Sequence, residues 1–276
     1  MKMKIMRRNK QYELNQCALY KCQSRRRLFS LLRTSETKFK EIDTASNKYK
    51  KKYKDKKDGS KRLVYAPRGD LKRIQKRLSE LLMRLKTPVY LMSPVRGRSN
   101  VDNAEVHRES KELHLLDVEN FYPSCTANKI AWFFRRVLLC SDDVSAILVR
   151  LTTHENCLAT GSPSSPALAF WAYQDMWDEM YELANDFKCK FTVYVDDITI
   201  SGSAVPGKLV YALKRCLSKH GHNFKPTKEH AVIDDAALVT GVVVSKGALL
   251  VPNSQHKAKF DKHTQLRGAQ SLAERL

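Results

Sequence analysis

Three acidic residues are the first candidates for chemistry. Asp117 lies in an apolar run, His114–Val118 (HLLDV), and Asp196 and Asp197 stand side by side between two β-rich runs, Lys190–Val195 and Ile198–Ser201. Adjacent carboxylates among mostly apolar neighbours are costly, because they repel one another and resist leaving water. A divalent cation removes that cost. A hard ion such as Mg²⁺ takes oxygen ligands, typically one or two carboxylates together with substrate phosphates. A carboxylate ending one strand, beside carboxylates at a hairpin tip, can bridge two metals about 4 Å apart. One ion would then activate an attacking hydroxyl while the other holds a leaving pyrophosphate. Taken alone, the pair is equally readable as an ordinary hairpin turn, where aspartate is common.

The runs around these residues predict the frame that places them. Asp70 can cap a helix to about Lys86, with Leu71, Ile74, Leu78, Leu81, Leu82 and Leu85 on one face and Lys72, Arg73, Lys76, Arg77 and Arg84 on the other. Helices are also predicted over Thr126–Cys140, Asp142–Leu151 and Pro206–His220. GSPSSP (Gly161–Pro166) reads as a turn whose last proline opens a long helix through about Asn185. The runs flanking Asp196–Asp197 read as a hairpin with the acids at its tip. Ala236–Val244 and Ala248–Val251 read as a second hairpin joined at Lys246–Gly247. Helices and strands alternate without a regular βαβ rhythm, so the fold class is α+β with an antiparallel sheet backed by helices. Neither a P-loop nor a dinucleotide-binding glycine motif is present.

Composition limits the partners. The 276 residues carry 50 basic and 29 acidic side chains, a net charge of +21. The excess is concentrated: residues 1–62 hold 21 Lys/Arg against 6 Asp/Glu. The densest stretch is Asn47–Arg62 (NKYKKKYKDKKDGSKR), with Tyr49 and Tyr53 among the lysines. That favours a polyanion, each neutralised phosphate releasing counterions, with a solvated tail as the alternative. Seven cysteines without a C-x-x-C pair speak against a disulfide framework or zinc ribbon, and no apolar run is long enough to span a bilayer. A soluble, cytoplasmic, nucleic-acid-binding protein without a membrane partner is expected.

Several strings resemble those of reverse transcriptases. Tyr194-Val195-Asp196-Asp197 resembles their Tyr-x-Asp-Asp box, and Leu116-Asp117-Val118-Glu119-Asn120-Phe121-Tyr122-Pro123-Ser124 their first-aspartate strand. Gly161–Pro166 is similar to the Gly-x-Pro-x-Ser-Pro turn, and Phe224-Lys225-Pro226-Thr227-Lys228 to the lysine segment after the hairpin. Arg62-Leu63-Val64-Tyr65-Ala66-Pro67, followed by Leu71-Lys72 and Gln75, resembles the fingers of bacterial members. Asn103-Ala104-Glu105-Val106-His107 and Val239-Thr240-Gly241 match the Asn-Ala-x-x-His and Val-Thr-Gly signatures of retron enzymes.

The resemblance implies a right-hand polymerase of fingers, palm and short thumb. Residues 1–60 would form the basic N-terminal region and the start of the fingers, 61–235 the fingers and palm, and 236–276 the end of the palm and a short thumb. Only 35 residues follow Gly241, so an RNase H is not expected. Asp117, Asp196 and Asp197 would be catalytic and, with the Val118 carbonyl, hold two Mg²⁺ ions. Arg62, assisted by Lys61, would meet the triphosphate. Tyr122 would exclude a 2′-hydroxyl, with a core aromatic beside Phe121 as the alternative. Gly161 would let the backbone approach the nucleotide or template, although Ala159-Thr160 precede it where the family commonly has Pro-Gln, which removes one amide from the pocket. Lys228 would serve the aspartates or the primer end, or be an ordinary surface lysine. Asn103, His107, Val239, Thr240 and Gly241 would contact the RNA. The implied activity is copying a structured non-coding RNA, with dNTPs, into branched, RNA-linked multicopy single-stranded DNA, alongside an effector protein in antiphage defence. Alternatives are a group II intron or abortive-infection enzyme, a non-catalytic RNA-binding protein on a polymerase fold, or a nucleotide cyclase on a palm-like core.

Overall fold

The computed structural model describes residues 11–55, 59 and 61–252. Lys56 and Lys57 of the lysine run, residues 1–10 of the basic N-terminal region and residues 253–276 of the expected thumb lie outside them. In chain order the first elements are α1 (Arg25–Leu32), α2 (Glu36–Thr44), β1 (Tyr49–Asp55), β2 (Lys61–Pro67), α3 (Gly69–Leu82), β3 (Leu91–Ser93), α4 (Asn100–His107) and β4 (Glu112–Asp117). Next come α5 (Phe121–Ser124), α6 (Ala127–Trp132), α7 (Asp142–Thr152), β5 (Thr153–His154), β6 (Cys157–Leu158), α8 (Ser165–Ala172) and α9 (Gln174–Asp186). The last are β7 (Lys190–Tyr194), β8 (Asp197–Gly202), α10 (Gly207–Lys219), β9 (His230–Ile233), β10 (Ala237–Val239), β11 (Val242–Ser245) and β12 (Ala248–Leu250). They fall into two units, Met1–Thr87 with Tyr122–Ala172 and Pro88–Phe121 with Tyr173–Leu276.

The first unit is mostly helical. The leucine face of α3 is buried against α1, α7 and α8. Gln75, fully buried on that face, donates to the Tyr49 hydroxyl (3.0 Å) and the Leu151 carbonyl (2.8 Å) and accepts from the Ser162 hydroxyl (2.7 Å). One amide thus joins β1, the end of α7 and the GSPSSP turn. Four local expectations need correction. Asp70 does not cap α3: Arg68 holds the N-cap position, and Asp70 sits in the first turn, where it pairs with Arg73 and with Lys38 (3.2 Å). Within the lysine run, Tyr49–Asp55 is not a solvated tail but strand β1, paired residue for residue with β2 from Tyr49↔Pro67 to Asp55↔Lys61. Its own sequence has no apolar alternation, so the strand is specified by its partner. The helix expected over Thr126–Cys140 widens into a π-turn over Phe133–Val137, with both Phe133 and Phe134 fully buried. Finally, the helix expected through Asn185 breaks at Tyr173 (φ −117°, ψ 22°), where the two units divide.

The second unit is built on a five-stranded sheet of order β3-β7-β8-β4-β9, parallel only between β3 and β7. Helices α4 and α9 pack on its strands, and α10 packs on α9. The second expected hairpin is instead a three-stranded meander, β10-β11-β12. Ala236–Val244 reads as continuous by hydropathy, but Thr240 (φ 47°) and Gly241 (φ 89°) make a two-residue turn within it. Positive φ at both central residues is the primed hairpin geometry, which glycine adopts readily and a β-branched residue does not.

That turn docks on α4. Asn103 Nδ2 donates to Thr240 Oγ1 (3.1 Å), and Asn100 Nδ2 donates to the Thr240 carbonyl (3.3 Å). Ala104 and Val239, both fully buried, share one apolar cluster with Val101, Leu113, Ala237, Val242 and Val244. One turn further along α4, the fully buried His107 bonds the hydroxyls of Ser201 on β8 and Thr192 on β7, each at 2.7 Å. Desolvation, then the charge of Lys190, lowers the imidazole from 6.5 to about 3. His107 is therefore neutral when folded, whereas in the unfolded chain it takes up a proton below 6.5. Stability should fall as pH drops from 6.5 toward about 3, and chemical denaturation of His107→Gln across that range should lack this component of the loss.

Candidate active site

Strand register makes the acidic site. In the β4–β8 ladder Asp117 is the direct partner of Asp197, and in the β7–β8 hairpin Asp197 is the partner of Tyr194. Directly opposed residues on antiparallel strands have Cβ atoms about 4.5–5.5 Å apart, so the two carboxylates share one face. The expected tip needs refining: Val195 and Asp196 form the turn, while Asp197 already belongs to β8. Val195 has φ 62°, a rare conformation for a β-branched residue that costs about 1–3 kcal/mol. The surroundings hold it there. The Val195 N–H donates to the Ser93 carbonyl (3.2 Å), and the Val118 N–H donates to the Asp196 carbonyl (2.9 Å).

A second strap comes from the lysine segment. Phe224 bridges to Val118, the Lys225 N–H donates to the Asp117 carbonyl (2.8 Å), and the Glu119 N–H donates to the Asn223 carbonyl (2.7 Å). None of these bonds takes the Val118 carbonyl. A 3₁₀ turn, Pro226–Lys228, then brings the Lys228 ammonium onto the buried Asp117 carboxylate. Glu229, next in sequence, accepts from Lys214 Nζ (2.6 Å) and His114 Nε2 (3.0 Å), and Lys214 lies 4.2 Å above the Phe224 ring. Lys214 and Glu229 are supports that no sequence motif marked. Only the sheet pairing, His114 on β4 against β9, brings them into view.

The charge balance is unequal. Burial, then the charges of Asp196 and Asp117, push the Asp197 carboxyl up to about 7 even with Lys228 nearby. Burial acts to lower Lys228, but its bond to Asp117 and the charges of Asp117, Asp197 and Asp196 outweigh that and raise it. The ammonium stays on and does not neutralise the site. An all-oxygen donor set with surplus negative charge fits a hard divalent cation.

The family comes from comparison. A model described as reverse transcriptase (RNA-dependent DNA polymerase) matches residues 54–260. The chain belongs to the reverse transcriptase family. Its curated relatives include the Retron Se72 reverse transcriptase of Salmonella heidelberg, 27% identical over 81% of this chain and 59% of that protein. They also include the Retron Ec86 reverse transcriptase of Escherichia coli, 29% identical over 59% of this chain and 52% of that protein. The chain thus spans a little over half the length of these relatives. A foamy viral protease-reverse transcriptase solved with double-stranded DNA aligns over 83% of this chain and 36% of that one, at 15% identity and a TM-score of 0.49. Reverse transcriptases generally use divalent metal ions.

The residues expected to serve the site divide by unit. Asp117, Asp196, Asp197 and Lys228 come together in the second. Arg62, Tyr122 and Gly161 belong to the first. Arg62 and Lys61 are exposed on β2, and Tyr122 is half-buried in α5. Gly161 presses on β2: its N–H donates to the Tyr65 carbonyl (3.2 Å), and an added Cβ would lie 2.7 Å from that oxygen. Its small size is needed there against protein backbone. Lys228 pairs with Asp117. Asn103, His107 and Val239 are buried, so their side chains serve the joint between α4 and the meander and offer no surface to RNA.

Relief of the turn strain is measurable. Val195→Gly should cost less than about 1 kcal/mol, because relief of the strained φ offsets glycine's greater freedom in the unfolded chain, whereas a larger drop in chemical denaturation would contradict the strain assignment.

Proposed function

We propose that the chain is an RNA-directed DNA polymerase of a retron, with Asp117, Asp196 and Asp197 as its catalytic carboxylates. The register that sets Asp117 opposite Asp197, beside Asp196, carries this reading. In it the three carboxylates, with the Val118 carbonyl, hold two Mg²⁺ ions. When bound, these lower the pKa of the attacking primer hydroxyl and balance the charge of the leaving pyrophosphate. Lys228 fixes the orientation of the Asp117 carboxylate. Val195 keeps Asp196 and Asp197 on a short, stiff turn. Arg62 offers a planar fork for phosphate oxygens, which Lys61 cannot match. Tyr122 takes the role that the resemblance gives it, discrimination against a 2′-hydroxyl.

The template in this reading is a structured non-coding RNA, supported by the retron relatives and by the exposed lysines of β1. Folded RNA is recognised largely through its shape, phosphates and 2′-hydroxyls, which suits a lysine-bearing hairpin. Of the Val-Thr-Gly triplet, Thr240 and Gly241 keep part of their surface. The retron resemblance extends the product to branched, RNA-linked single-stranded DNA and the setting to antiphage defence with an effector protein.

Two experiments test the reading. With an RNA template, primer, dNTPs and Mg²⁺, the double variant Asp196→Asn/Asp197→Asn should lose DNA synthesis and keep its RNA affinity; full incorporation would refute the assignment. Replacing Lys50, Lys51, Lys52 and Lys54 by glutamine should flatten the dependence of log affinity on log salt by about 0.7–0.9 per lost phosphate contact. An unaltered slope would remove β1 from the RNA-binding surface.

A further inference from the structure

The second unit holds another group of metal-ligand side chains, on the helix pair α9 and α10. We propose that Glu179, Cys216 and His220 form a binding site for a thiophilic divalent cation of the Zn²⁺ class. Cys216 on α10 and His220, the residue that caps its C-terminal end, are four apart, and both meet Glu179 of α9. One carboxylate oxygen, the Cys216 sulfur and one imidazole nitrogen all lie within 4.8 Å of one another. Ligand atoms around a tetrahedral zinc, at the usual Zn–S, Zn–N and Zn–O bond lengths, lie roughly 3.3–3.8 Å apart. Closing the gap needs about an ångström of side-chain movement.

A second observation points to a ligand. His220 Nε2 is shielded from solvent and has no hydrogen bond among the described residues. Its nearest acceptor, Glu179 Oε2, is 3.5 Å away. The other ring nitrogen, Nδ1, faces Asp175 Oδ2 at 4.0 Å. A zinc-binding histidine usually donates its second ring N–H to a carboxylate, and Asp175 is the carboxylate on that side, at a distance the ring must still close. Cys216 supplies the preference for a soft ion, and a fourth position is left for water. Lys219, exposed and paired with Glu179 at 2.8 Å, is free to swing into solvent when the carboxylate turns to the metal. The balance is simple: Cys216 releases its proton to solvent as the S–metal bond forms, while neutral His220 and ionised Glu179 donate lone pairs. The cation would clamp the two helices together through a ligand set different in chemistry from the aspartates.

Cobalt separates the two sites, because only thiolate ligation gives a sulfur-to-cobalt charge-transfer band. Titrating Co²⁺ into the reduced, chelator-stripped full chain in excess Mg²⁺ should give that band at one equivalent, and Zn²⁺ should displace it. Cys216→Ser should abolish the band. Glu179→Gln and His220→Gln should each weaken Co²⁺ binding by more than about tenfold. Absence of the band from the unsubstituted chain overturns the proposal, as does an undiminished band in folded Cys216→Ser. If Cys216→Ser fails to fold, the partly exposed positions decide: unchanged Co²⁺ affinity in both Glu179→Gln and His220→Gln overturns it.

Discussion

Repulsion between the carboxylates of Asp117 and Asp197 is the constraint around which the second unit is organised. Register places them opposite each other, and the five further pairs of the same ladder, from Glu112↔Gly202 to Leu116↔Ile198, hold it there. Burial and, added to it, the charges of Asp196 and Asp117 raise the Asp197 carboxyl. Lys228 offsets part of this at Asp117 and leaves Asp197 with its carboxyl held up to about 7. A site with this surplus of negative charge favours added positive charge, which is the property that metal-assisted phosphoryl transfer requires.

Keeping such a site rigid takes support from several directions. The strained Val195 is held through the Ser93 carbonyl, and the Asp196 carbonyl is held by the Val118 N–H. Lys225 and Asn223 fasten the lysine segment to the end of β4, and the Lys214–Glu229–His114 cluster anchors the residue next to Lys228. Farther along the same strands, His107 ties β7 and β8 to α4, which in turn carries the meander through Asn103 and Thr240. The two short strings that resemble retron signatures therefore meet as one structural joint. Their spacing in sequence hides this, since 137 residues separate Asn103 from Thr240.

What was legible in sequence is what depends on local chemistry. The aspartates were conspicuous because charge is expensive between apolar strands, and α3, α7 and α10 because their apolar faces repeat at the helical period. Positions defined by a distant partner were not legible. β1 is a strand because β2 pairs with it, and its seven residues YKKKYKD carry no alternation of their own. Asn103, His107 and Val239 look like surface recognition residues until the fold buries them. Gly161 makes its close approach to Tyr65 and Val64, residues too distant in sequence for any local pattern to announce. Thr240 conceals a turn because threonine rarely adopts positive φ, and asparagine side chains from α4 satisfy it there.

The central claim is that like charge is forced together in the folded chain and relieved by a cation. The most direct measurement is the unfolding free energy of Asp197→Asn against the unsubstituted protein at neutral pH, first in chelator and then in millimolar Mg²⁺. Without metal the amide variant should be the more stable of the two, and Mg²⁺ should stabilise the aspartate form more, narrowing or reversing the gap. A variant less stable in chelator, or an equal response of both proteins to Mg²⁺, would contradict it.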